Sequence, residues 1–476
     1  MTAGKQSSGG KLLLLTSEFP PLANAGVQRA LYFAKYLPLF GWVPLVLTVK
    51  DVTHFSYDYS LLAKLPEDCR VYRTESFELR RLLWLLRRAL RRNVATPEPS
   101  QSSKPADRVM EYRPPPRLRN FGRTLRRWLF VPDDRIMWTP FATVKALKLV
   151  RNEDIDLVFA TLPVCSTGVT ALIISKLTRL PLIIDMRDPW IGDPYSYAQE
   201  PTALHRRLNL ALERATLKHA AKIIVICLEM KNLLHKRYPD LPQDKVVVIT
   251  NGFDREEFAS ASMVNTGEKF TVVYSGALYA HHSASFGAFC DAWSRACALE
   301  PEFAEQAQFW VAGRVDPELK QIAAEWPALK VKFLGQQPHT AAISYLVSAN
   351  LLLLLIKNFR PTADTVITIP GKAFEYLASG APILMIGPEG DAARLIRTTG
   401  SGNVYNEADT DLIANDLLGR YREFKQKTAS SPLLGDRMLY DRKALTRRLA
   451  NELDEVCRVG PSSSCASGMK PRPAMS

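Results

Sequence analysis

Short unbroken apolar runs alternate with longer amphipathic stretches, and the alternation occurs twice along the chain. Residues 11–16 read as a buried strand, 17–25 as a loop containing Pro20-Pro21, 26–40 as an amphipathic helix, and 43–49 as a second strand. Such a strand, helix and strand close most naturally as a parallel, right-handed βαβ unit. After an interruption, strands are expected at 155–160, 182–185, 222–226 and 246–250, with helices at 164–177, 204–220 and 229–237. A second series follows. It places strands at 270–275, 308–312, 331–334 and 351–356 and helices at 285–299 and around Glu318 and Thr340. The pattern predicts an α/β protein with two Rossmann-like domains, 11–252 and 268–428. A polar hinge at 253–268 joins them, a helix at 432–459 is expected to pack back on the N-terminal domain, and 460–476 has the composition of a disordered tail.

One stretch, 369–396, combines periodicity with chemistry: IPGKAFEYLASGAPILMIGPEGDAARLI. Pro370 and Gly371 punctuate it, 372–378 is helical, and Gly380 is suited to the positive φ that stops a helix. A short strand at 382–386 and a turn at 387–390 follow, and Asp391 is placed to N-cap the next helix. Free amides at such N-termini attract phosphate. Glu375 lies about one turn inside the first helix, where a carboxylate can accept both hydroxyls of a ribose while Gly371 and Lys372 adjoin a diphosphate. The plainer reading is a glutamate that suits the helix dipole, a solvated lysine and glycines that merely turn the chain.

Other candidates sit in loops after strands, where open α/β sheets place ligands. Gly276, Gly313 and Arg314 follow two strands of the second series, and Arg314 is a bidentate donor for a diphosphate. Gly26 permits close backbone approach of the donor diphosphate at a helix N-terminus or simply starts that helix. Arg187 and Asp188, in MRDPWIGDPY, are candidates for the reacting centre, or else a turn initiator and a structural ion pair. His281-His282 has no carboxylate cluster beside it, and Asp154-Ile-Asp156 sits at the entry to a strand, so neither predicts a metal site.

Charge adds a different feature. The chain carries a formal +14, and between residues 79 and 128 fourteen Lys and Arg face three acids. Leu79, Leu82, Leu83, Leu86 and Leu90 fall on one helical face with arginines opposite, followed by a Pro- and Ser-rich segment and a second basic patch. The 79–129 insert therefore reads as a contact with an anionic membrane surface rather than with nucleic acid, for which no RNP or KH signature exists. Seven scattered cysteines without a C-x-x-C pair fit a reducing cytoplasm. No apolar run reaches the length of a membrane span.

The segments KLLLLTSEFPPLANAGVQRALYFAKYL, PLIIDMRDPW, VVVITNGFD, VVYSGALY, WVAG and PGKAFEYLASGAPIL make the chain resemble GT-B glycosyltransferases, in particular glycosyltransferase family 4 of the surface-polysaccharide type. The resemblance implies two Rossmann-like domains facing across a cleft, the donor bound in the C-terminal one and the acceptor held by the N-terminal one, to which the charge pattern adds a basic helical insert at 79–129. It further implies retaining transfer of a sugar from a nucleotide-diphosphate sugar to a glycan or lipid-linked acceptor, without a metal cofactor, and the basic insert adds the expectation of a cytoplasmic protein at the inner face of the plasma membrane. Glu375 matches the second glutamate of the family's E-x7-E motif; the first is replaced by Ile367, leaving Asp364 or Thr365 to contact the sugar. Arg187 stands where the family usually has a histidine, and Lys372 and Arg314 are the candidates for its phosphate-binding cations. A sugar-nucleotide epimerase of the same fold and a non-catalytic sugar-nucleotide-binding scaffold are the alternatives.

Overall fold

The structure is a computed structural model that describes residues 10–22, 25–50, 57–77, 128, 130–192, 201–356, 369–427 and 436–459. The chain divides into two compact units, residues 1–249 with 446–476, and residues 250–445.

The first unit runs β1 (Lys11–Leu15), α1 (Ala25–Tyr36), β2 (Val43–Val49), β3 (Arg70–Thr74), α2 (Thr139–Asn152), β4 (Leu157–Leu162), α3 (Cys165–Thr178), β5 (Leu182–Met186), α4 (Ala203–His219), β6 (Lys222–Val225), α5 (Leu228–Arg237) and β7 (Val246–Val248). These strands form one parallel sheet in the order β3-β2-β1-β4-β5-β6-β7, with Leu12 opposite Pro44 on one side and Leu157 on the other. Coverage on both faces explains why β1 from Leu12 on and nearly all of β4 are apolar instead of alternating: their side chains are buried on both sides of the sheet.

The second unit repeats the plan with α6 (Arg255–Ala259), β8 (Phe270–Ser275), α7 (Ser283–Leu299), α8 (Pro301–Gln306), β9 (Ala307–Ala312), α9 (Pro317–Ala324), β10 (Val331–Gly335), α10 (His339–Val347), β11 (Leu351–Leu355), α11 (Gly371–Ser379), β12 (Ile383–Ile386), α12 (Asp391–Thr398), β13 (Gly402–Tyr405) and α13 (Thr410–Lys425). Its parallel order is β10-β9-β8-β11-β12-β13. An aromatic cluster fills one face, with Phe289 against Phe309 and Trp293 against Phe303, each pair 4.9 Å between ring centroids. The last helix, α14 (Arg442–Val459), contributes residues 446–459 to the first unit. There Asp454 accepts a hydrogen bond from the buried Trp42 indole at 2.9 Å, and Glu455 pairs with Lys222 at 2.9 Å.

Both sheets follow the doubly wound order in which the chain reverses direction beside its first strand. The expected α/β class and the two Rossmann-like series are therefore present. Elements that were not expected include the edge strands β3 and β13 and the helices α2, α6 and α8, the short α6 lying within the expected hinge. One local expectation is corrected. Gly390, at φ 154° and ψ −164°, is the N-cap of α12, while Asp391 is its first helical residue and bonds Arg394 at 2.9 Å. Glycine there lets the chain take a φ that an L side chain resists. The 79–129 insert, apart from Trp128, and the 460–476 tail lie outside the described residues.

Candidate functional site

In the second unit, the loops at the C-terminal ends of β8 and β9 and the first turn of α11 converge. Gly276 follows β8 at φ +107°, a conformation that favours glycine, and a Cβ there would lie 3.2 Å from the Lys372 ammonium. Gly313, after β9, abuts the Gly276 carbonyl so closely that a side chain has no room. Tyr376, fully buried on α11, receives the Ser275 amide at 2.8 Å and so pins the helix to the end of β8. Helix and strand end are thus tied directly to each other.

Lys372 is half-buried. Its ammonium donates to the Tyr274 hydroxyl at 2.6 Å and lies 4.1 Å from the centroid of the same ring, while that hydroxyl donates onward to the Ala277 carbonyl at 2.9 Å. Burial pushes the Lys372 ammonium down to about 8, with Glu375 opposing the shift. This cation has an aromatic and a neutral hydroxyl beside it, an arrangement that leaves its charge available to an anion. The N-terminus of α11 has the same property: its N-cap, Pro370, offers no side-chain cap. Gly380, at φ +83°, ends the helix as the sequence predicts.

Glu375 occupies the same helix and is also half-buried. Burial pushes its carboxyl up; Glu257 adds to this, while His339, Arg442 and Lys372 oppose it. Glu257 on α6 and His339 at the start of α10 are themselves 3.2 Å apart. Among the described residues no hydrogen bond reaches the Glu375 carboxylate, so its acceptor capacity is unspent. Arg314 is exposed and stacks its guanidinium 5.3 Å over Tyr279, in the loop that carries Gly276. Asp364, Thr365 and Ile367 lie outside the described residues.

Gly26, Arg187 and Asp188 belong to the first unit. The Arg187 guanidinium is 6% exposed and donates to the carbonyls of Leu162 at 2.7 Å and Pro163 at 3.0 Å, to the Gly26 carbonyl, and to the Glu18 carboxylate at 3.0 Å. Gly26 is small because Glu18 and Arg187 press against it, which is a packing reason for the glycine independent of any ligand. Beneath them, Arg29 and Asp185 form a buried bidentate pair at 2.7 to 3.0 Å, completed by the Thr161 hydroxyl at 2.7 Å and the Ile249 carbonyl at 2.8 Å. Asp188 is half-buried in the bend after β5. Asp156 accepts the Lys11 amide at 2.8 Å, a structural use of that D-x-D carboxylate. Among the described residues no group of three His, Cys, Asp or Glu is arranged to hold a metal ion.

Sequence reasoning overlooked Tyr274, Tyr376 and Glu18. The two tyrosines look like core residues, and only their hydroxyl partners reveal another role; Glu18 had a signal in its place between a strand and a Pro-Pro turn.

Residues 81–257 match the model of Glycosyltransferase Family 4. The Anabaena protein HepE, solved with UDP, aligns at a TM-score of 0.57 with 15% identity over 94% of this chain and 100% of its own. The chain has the GT-B fold, and its residues 81–257 are similar to Glycosyltransferase Family 4. Two further solved structures share this chain's fold. Sucrose-phosphate synthase of Thermosynechococcus elongatus aligns at 0.57 and 15% identity, covering 95% of this chain and 100% of that one. The N-terminal domain of Candida albicans trehalose-6-phosphate phosphatase aligns at 0.54 and 11%, covering 96% and 98%. No curated protein matches this GT-B chain. Among the described residues no helix is long and apolar enough to cross a membrane.

Proposed function

We propose that this protein is a retaining glycosyltransferase that moves a sugar from a nucleotide-diphosphate sugar to a glycan or lipid-linked acceptor in polysaccharide assembly. The observation that carries this reading is the junction of Gly276, Lys372 and the uncapped N-terminus of α11, with Glu375 one turn further on. A glycine that admits close approach, an available cation and free amides suit a diphosphate; a carboxylate with unspent acceptors suits the ribose diol. HepE, which shares the fold, was solved with UDP and with UDP-glucose, which supports the choice of ligand class.

The chemistry follows from charge. As the bond between the anomeric carbon and the phosphate oxygen breaks, its electron pair leaves with the nucleoside diphosphate and the sugar gains oxocarbenium character. Lys372 and the α11 amides meet the charge growing on the leaving group, with Gly371 opening the approach and Arg314 placed to reach the same phosphates. The departing phosphate takes the proton of the acceptor hydroxyl as the new glycosidic bond forms on the face the phosphate leaves, which retains configuration. No protein nucleophile or metal is needed in this scheme. The first unit would hold the acceptor, with Arg187 and Asp188 near the reacting centre and Arg187 orienting Glu18. Asp364 and Thr365 remain the candidates for the sugar hydroxyls. The protein would work at the inner face of the plasma membrane, held there by the 79–129 insert.

Incubation of the purified protein with UDP- and GDP-sugars, with and without lipid-linked acceptors, tests the proposal. Acceptor-dependent release of nucleoside diphosphate with a glycosylated product is expected. An epimerised sugar nucleotide formed without acceptor, or binding without turnover across the panel, would overturn it in favour of an epimerase or a scaffold.

A further inference from the structure

Helix α4 is built inside out. Its buried face carries His205, Asn209, Glu213 and Thr216 with Leu217, whereas Leu204 and Leu208 point outward at 62% and 45% exposure. A helix placed only by core packing would do the opposite. The inward polar groups are held by specific partners. Asn209 accepts from the Trp190 indole at 3.3 Å, and Glu213 accepts from Arg237 at 3.1 Å and from the Tyr238 hydroxyl at 2.7 Å. Register is therefore fixed by these contacts, and the leucines cannot rotate inward without breaking them.

The outward face has its own order. Leu204, Leu208, Ala211 and Ala215 follow at helical spacing in one stripe, all exposed, and Arg207, Arg214 and Lys218 flank it. The helix's single acid, Glu213, is buried. Of the flanking cations, Arg214 reaches Asp240 at 3.0 Å in an exposed pair, which screening makes weak. Beside the N-terminal turn stands Trp128, 54% exposed, its ring centroid 5.8 Å from that of His205 and its carbonyl 3.2 Å from the His205 ring nitrogen. An apolar stripe, flanking cations and an exposed indole match the boundary between acyl chains and anionic headgroups, which takes all three at once.

We propose that the outer face of α4, with Trp128 at its head, is a docking surface for anionic lipid, with Leu204 and Leu208 entering the interface and Arg207, Arg214 and Lys218 meeting the headgroups. The leucines and cations of α4 are separate in sequence from the 79–129 insert, to which Trp128 belongs, and the surface does not depend on the transfer chemistry. It extends the membrane part of the proposed function to a place in the fold.

The test is co-sedimentation of the full chain with phosphatidylglycerol/phosphatidylcholine vesicles and with phosphatidylcholine vesicles alone. Replacing both leucines (L204Q/L208Q) is expected to lower partitioning onto anionic vesicles by about tenfold or more, and Arg207→Gln to lower it while making what remains less sensitive to salt. The matched pair V144Q/L147Q, on the exposed side of α2, should bind as the wild type does; equal melting temperatures of all variants show that they fold. Binding by L204Q/L208Q within about twofold of the wild type would overturn the proposal, as would an equal loss in V144Q/L147Q. Vesicle-free self-association that L204Q/L208Q abolishes, without change in vesicle binding, would assign the face to a second copy instead. Unchanged UDP affinity in L204Q/L208Q, and unchanged vesicle binding in Glu375→Ala, keep this surface and the donor site independently falsifiable.

Discussion

The Lys372 ammonium donates to the Tyr274 hydroxyl at 2.6 Å while the Tyr274 ring lies beneath it, and burial lowers that ammonium to about 8. The lysine is therefore charged at neutral pH but near the edge of its range, and a bound diphosphate would pull its pKa upward again. Affinity for a nucleoside diphosphate is expected to be full below about pH 7 and to fall as pH rises through 8 toward 9.5. The free protein shows the opposite trend in stability from this group. Between 8 and the ordinary lysine value the unfolded chain binds the proton that the folded chain has lost, so the contribution of Lys372 to stability rises with pH over that window. Replacing Tyr274 with Phe removes an acceptor of the charged form and should move the fall in affinity to lower pH, read by titrating UDP or GDP across buffers.

A carboxylate with unspent acceptors predicts selective recognition of a diol. Glu375→Ala is expected to lose roughly 1.5 to 3 kcal/mol of nucleoside diphosphate binding, between about tenfold and a hundredfold, as for hydrogen bonds to a charged group. The selectivity for UDP or GDP over its 2′,3′-dideoxy analogue should collapse in the same variant. If Glu375→Ala weakens both ligands equally, the carboxylate is not on the ribose.

Gly276 has two reasons to resist a side chain: its φ of +107°, and the 3.2 Å that would separate an added methyl group from the Lys372 ammonium. Gly276→Ala should cost about 1 kcal/mol or more of stability in the second unit, since alanine at positive φ is strained. It should also weaken diphosphate binding by displacing Lys372. Thermal melting and ligand titration of the same sample separate the two effects. Gly287→Ala, within α7 and with open space at its Cβ, is the matched control and should melt no lower than the wild type.

The Arg29 and Asp185 pair is 5% and 0% exposed at its side chains. Removing one partner leaves the other charge buried, which typically costs about 3 to 5 kcal/mol, close to the stability of a small domain. Asp185→Asn and Arg29→Met should each lower the first thermal transition, and the double variant should lose less than the sum of the two. Strict additivity in denaturant unfolding would contradict the pairing.

How far the sequence carried this account depends on what each residue does. Apolar runs such as 12–15 and 351–355 announce buried parallel strands because both faces of the sheet are covered. The edge strand β3, RVYRT, is only half buried, and β13 is four residues opened by a glycine, so neither shows such a run. Gly371, Lys372 and Glu375 were legible as candidates, and their places in the first turns of α11 were too, because helix-start chemistry is local. Tyr274 and Tyr376 were not, since their function comes from contacts 98 and 101 residues away in the chain. The inside-out register of α4 was equally hidden: a helix with leucines on one side and polar groups on the other looks the same in sequence whichever face is buried. Arg187 was visible as a loop residue, but its ties to Leu162, Pro163, Gly26 and Glu18 appear only in three dimensions.

The central claim is that the first turn of α11 receives the diphosphate of the donor, and calorimetric titration of UDP and GDP into wild-type protein and Lys372→Met tests it most directly. The account predicts saturable binding of at least one of the two by the wild type, with affinity lowered about tenfold or more in Lys372→Met while its melting temperature is not reduced, since the variant no longer buries a charge. Equal affinity in the two proteins, or no binding of either nucleotide by the wild type, would contradict it.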